Sequence, residues 1–146
     1  MTDRDGAPDI HGLRGQIDGI DSEILRLLNR RAQLVLEVGR LKAEQNLDVH
    51  VPQREEEIYR RLAVENPGPF PAEAVRPVFR EVISACLSLE HPLRVAYLGP
   101  RATFSHLAAM ERFGLSAQFL AMRSIAEVFA EVEKDNAGFG VVPVVA

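Results

Sequence analysis

The sequence predicts an all-α unit of three helices over residues 10–91, followed by an incomplete α/β segment over residues 93–146. Three observations lead there. An apolar seam runs through Leu13, Ile17, Ile20, Ile24, Leu27, Leu34, Val38 and Leu41 at alternating spacings of four and three, a helical period. Proline and glycine then punctuate the chain, at Pro52 and across Pro67, Gly68, Pro69 and Pro71, and so divide the helical part into three. From Leu93 onward short apolar runs alternate with helical ones, which is the pattern of a parallel sheet.

The opening residues 1–9 are polar and charged, and a disordered N-terminus is expected there. They carry no apolar signal region, and no later stretch is long enough to span a bilayer, so a cytoplasmic protein without a membrane partner is expected. The chain has 146 residues, 47% hydrophobic and 26% charged, as in a globular protein. A net charge of −4 and the absence of long like-charge blocks argue against a nucleic-acid partner. A single cysteine rules out an internal disulfide.

The first helix extends from about Ile10 to Gln45, with no proline inside it. At 1.5 Å per residue this is a rod of roughly 50 Å, longer than the ~26 Å diameter implied for a compact domain of ~100 residues. One short helix cannot cover its stripe. Pairing two such rods is the economical solution, so a homodimer is expected. Asn46 to Pro52 breaks the helix, and Pro52 suits the first position of the second. Glu55, Glu56 and Glu57 followed by Arg60 and Arg61 match the helix dipole, and Glu56–Arg60 and Glu57–Arg61 are spaced to pair. The third helix is expected over Ala72 to Glu90, with Val75, Val78, Phe79, Val82, Ile83, Cys86 and Leu87 as its apolar face and Pro77 as a kink or tighter first turn. Beyond it come a strand at Arg94–Leu98, a turn at Gly99–Pro100, a helix at Ser105–Phe113 and a strand at Gln118–Met122. A helix opened by the capping box Ser124–Glu127 follows, then a strand at Gly140–Val144.

Arg31 occupies a slot of the seam where the pattern asks for an apolar side chain. A guanidinium there is costly unless an anion meets it. Two bland readings stand beside that one: a polar residue that fixes register, or an arginine that snorkels to water. Lys42, eleven residues on, lies only about 20° away around the helix and roughly 16 Å along it, so the two cations could bracket a small dianion. Arg14 projects about 100° away, so it does not easily join that cluster within one straight helix, but in an antiparallel or intertwined dimer it could reach the partner's. Each of these cations, like Glu90 on the third helix, could equally be a solvated surface charge. Cys86, four residues before Glu90 and on its face, could be a small core residue.

Taken together, Leu13-Arg14, Leu27-Leu28-Asn29-Arg30-Arg31, Glu37-Val38-Gly39-Arg40-Leu41-Lys42, Arg54-Glu55 and Phe79-Arg80-Glu81-Val82-Ile83-Ser84-Ala85-Cys86 resemble the all-helical class of chorismate mutase over roughly residues 8–91. Residues 93–146 resemble the start of a prephenate dehydratase domain. The matching strings are Val95-Ala96-Tyr97-Leu98-Gly99-Pro100, Thr103-Phe104-Ser105-His106, Ser124-Ile125-Ala126-Glu127-Val128-Phe129 and Gly140-Val141-Val142-Pro143-Val144. This is the domain order of the bifunctional P-proteins. Two departures stand out. Arg101-Ala102 replaces the usual Glu-Gly, and Val145-Ala146 stands where that family continues with Glu-Asn and much more. The chain thus resembles a truncated P-protein, from which no dehydratase activity is expected.

The resemblance implies an isomerase that rearranges chorismate to prephenate, with no cofactor and no metal. Orientation and preorganised electrostatics would carry the reaction. It implies that Arg31 and the partner subunit's Arg14 bind the substrate carboxylates with Arg54 in support, and that Glu55 accepts from the substrate hydroxyl. Cys86 would line the pocket. Lys42 and Glu90 would meet the breaking ether oxygen. Val51 replaces an aspartate of some relatives. A carboxyl at position 90 donates a hydrogen bond only when protonated, a state that burial favours and Lys42 opposes. A non-catalytic helical dimer with a regulatory or scaffolding role is the alternative, because fold alone does not fix function.

Overall fold

The computed structural model describes residues 9–47 and 52–144. Most of the N-terminal 1–9 stretch, Val51 and the final two residues lie outside them. The elements run α1 (Ile10–Glu44), α2 (Pro52–Glu65), α3 (Ala72–Glu90), β1 (Arg94–Leu98), α4 (Phe104–Phe113), β2 (Gln118–Met122), α5 (Ile125–Glu133) and β3 (Phe139–Val141). The chain divides into two units, residues 1–34 and 35–146.

In the first unit the described chain is helical from Ile10. Asp9 caps it, its carboxylate accepting from the Gly12 amide at 2.6 Å, which satisfies one of the amides a helix start leaves without a partner. None of the residues of α1 is buried. Along the seam the exposures run from 43% at Leu13 to 56% at Leu27.

In the second unit α2 and α3 pack through Ile58, Tyr59 and Ile83, with Leu62, Phe79 and Leu87 around them. Helix α3 continues through Pro77. The proline lies in the second turn, where the hydrogen bond it removes is one near the helix start. The charges of α2 do not pair as their spacing suggests. Arg61 reaches Glu65 instead (3.4 Å), and Glu56 is taken by Arg76 of α3 at 2.7 Å.

The α/β part is a parallel three-stranded sheet in the order β2-β1-β3. Alternation along β1 sends Val95 and Tyr97 to one face, against Ala109 and Phe113 of α4, and Ala96 to the other, against Val128 and Val132 of α5. Both faces of the central strand are therefore covered, as a parallel sheet requires. Strand β3 is shorter than the apolar run Gly140–Val144. Its pairing with β1 spans only Phe139 to Val141, and Pro143 has no amide to extend the ladder. Helix α4 starts one residue early because Thr103 caps it, accepting from the His106 amide. At α5 the Ser124 hydroxyl accepts from the Glu127 amide, while the Glu127 carboxylate accepts from the Arg123 amide, one residue before the usual capping-box donor.

Helix α4 docks on α3 at its C-terminal end. Gly114 has a left-handed backbone (φ +76°), and a Cβ there would fall 2.5 Å from the Cβ of Ser84. The next amide, Leu115, donates to Glu81 at 2.9 Å.

Candidate active site

The C-terminal part of α1 meets the end of α3 at Gly39. A Cβ built there would lie 2.8 Å from both Cγ and Cδ of Glu90 and 3.1 Å from its Oε1. The Glu90 carboxyl thus rests on the bare backbone of α1. Its Oε2 is shut off from solvent and has no hydrogen-bond partner among the described residues. Burial pushes this carboxyl above the usual carboxylate range, and the charge of Lys42 pulls the other way. Lys42 follows Gly39 by three residues, so it lies on the same side of α1. Cys86, buried, precedes Glu90 by one turn on α3. The structure therefore brings Lys42 and Glu90 to one junction, with Cys86 one turn away. Such a junction can offer a cation and a protonated carboxyl to an oxygen that gains negative charge.

Glu55 is placed differently. It is buried on α2, and its Oε2 accepts from Arg112 of α4 at 2.7 Å. It lines a small pocket with Tyr59, Arg80, Ser84 and Ser88. Ser84 and Ser88 leave α3 about 200° around the axis from Cys86 and Glu90. The expectation that Glu55 faces substrate thus meets a carboxylate already engaged by an arginine. Nothing in the sequence signals Arg112, because a partner fifty-seven residues away leaves no local pattern. Arg54 is exposed and lies 3.7 Å from Glu57. Arg14 and Arg31 belong to the first unit, Arg14 exposed and Arg31 half-buried. The sequence shows Gly39 within a family string but gives no sign of what it touches.

Residues 13–91, more than half of the chain, match the model of chorismate mutase type II. The chain belongs to that family. Residues 95–145 match the prephenate dehydratase family. Among relatives, the bifunctional chorismate mutase/prephenate dehydratase of Aquifex aeolicus is 53% identical over 136 residues, covering 90% of this chain and 38% of the relative. That of Neisseria gonorrhoeae is 47% identical over 131 residues, covering 90% and 36%. The chain thus spans less than two-fifths of the length of these relatives. Among solved structures, a chorismate mutase from Thermus thermophilus superposes with a TM-score of 0.54 at 49% identity, over 56% of this chain and 92% of that one. No described helix is long and apolar enough to cross a membrane.

Proposed function

We propose that the chain converts chorismate to prephenate. The observation that carries this reading is the Glu90 carboxyl, sheltered and unpartnered at Oε2 and under the influence of Lys42, in a chain of this family. The rearrangement breaks a carbon–oxygen bond and forms a carbon–carbon bond within one molecule. The enzyme's task is to hold a dicarboxylate folded and to stabilise charge on the departing ether oxygen. Lys42 donates to that oxygen from one side. Glu90 donates from the other as the protonated acid, which burial favours. Arg31 and the partner's Arg14 bind the two carboxylates, Arg54 supports them, and Cys86 lines the pocket. For Glu55 to accept from the substrate hydroxyl, its carboxylate must turn away from Arg112, which holds it on the other face of α3 from Glu90.

A homodimer belongs to the same proposal. The exposed seam of α1 supports it, since covering each half-exposed side chain is worth on the order of 1 kcal/mol. A cytoplasmic location is part of the proposal too.

The test is chorismate consumption by the chain, with the product identified as prephenate. Arg31→Ala separates enzyme from scaffold. Loss of turnover with the dimer intact supports catalysis, whereas changed assembly makes Arg31 a register device.

A further inference from the structure

Gly39 lies inside α1, where glycine is the poorest residue short of proline. Its backbone is not left-handed, so conformation does not call for it. At Gly15 and Gly19 of the same helix a Cβ would meet nothing within 4 Å, whereas at Gly39 it would strike the Glu90 carboxyl end. The atoms struck belong to the tip of a long side chain, not to the backbone of α3. An alanine would therefore be accommodated by swinging the carboxyl aside rather than by parting the helices. What the missing side chain provides is the place of that carboxyl, with Oε2 screened from water.

We propose that Gly39 is a positioning residue for the reaction: by leaving α1 bare, it seats the Glu90 carboxyl in its sheltered place on the Lys42 side of the helix. The inference rests on the mutase reading, in which Glu90 touches the reacting atoms. The charged group acting on the carboxyl is Lys42 of α1. Cys86 stands one turn before it on α3. Neither is altered by a change at Gly39.

Gly39→Ala in the full chain tests this. The melting temperature should stay level or rise, because alanine suits a helix interior better. Turnover should fall roughly 10- to 100-fold with KM much less affected, as expected of a misplaced reacting group. The Glu90 carboxyl, followed by NMR titration, should move down toward the ordinary carboxylate range as it enters water. In a Glu90→Ala background, Gly39→Ala should cost nothing further, because residues acting through one group are not additive. An unchanged Glu90 titration overturns the proposal, as does an equal fold-loss in both backgrounds. If the wild-type chain leaves chorismate unconverted, the mutase reading fails by itself, and the titration still decides whether Gly39 seats the carboxyl.

Discussion

The seam of α1 and the strand β1 are both predominantly apolar, yet their surroundings are opposite. In β1, Val95 and Ala96 have no exposed surface and Tyr97 retains 1%. Along α1, Ile17 and Ile20 each keep 55% of theirs. The strand's partners follow it within the same chain: α4 covers one face and α5 the other. The helix carries a narrow stripe of alternating four- and three-residue spacing, the geometry of a helix-on-helix contact. Apolar pattern alone therefore tells which surface asks for cover. Whether the cover lies in the same chain depends on what else the sequence supplies. For β1 it supplies two helices. For α1 we propose a second copy.

Changes in the two regions should accordingly read out differently. Tyr97→Ala empties a filled core site beside His106, on which the ring stacks at 4.7 Å. It should cost about 3–5 kcal/mol in urea unfolding and leave self-association unaltered. Ile24→Asp should do the reverse. Two copies per dimer would lose apolar contact and gain a charge to desolvate, about 3 kcal/mol or more of association. Sedimentation should show a shift to monomer with the unfolding of the sheet unchanged; a dimer that persists breaks the comparison. Gly114→Ala combines an unfavourable left-handed backbone with a clash against Ser84 and should cost about 2 kcal/mol. The smallest effect runs the other way. Ala102 sits at φ +66°, in a region that favours glycine, so Ala102→Gly should stabilise by about 1 kcal/mol in thermal unfolding.

The elements most legible in the sequence are those bounded by residues with a fixed local meaning. Helix α3 begins after Pro71 and β1 ends before Gly99–Pro100, each where those residues indicate. Strand β3 is overread because an apolar run says nothing about how far its partner reaches, and only the register with β1 limits it. The departure at Arg101-Ala102 is visible in the sequence, but its consequence depends on a backbone angle that only the structure supplies. In the candidate site, Cys86 and Glu90 share a face by spacing alone. The nearness of Lys42 to Glu90 enters only through the family resemblance, because it joins separate helices. The hold of Arg112 on Glu55 is long-range and has no sequence signature.

In the proposed reaction the α1–α3 junction works through a protonated Glu90. The sign follows from its raised pKa. The acid persists to higher pH than an ordinary carboxyl, and turnover should hold below that pKa and fall as pH rises through it. The direct measurement is turnover of chorismate against pH for the wild-type chain and Glu90→Gln. An amide donates at every pH, so the variant should remain active where the wild type declines, and its profile should be flat. A Glu90→Gln chain that declines along the wild-type curve would show that the Glu90 carboxyl is not the acid that turnover depends on.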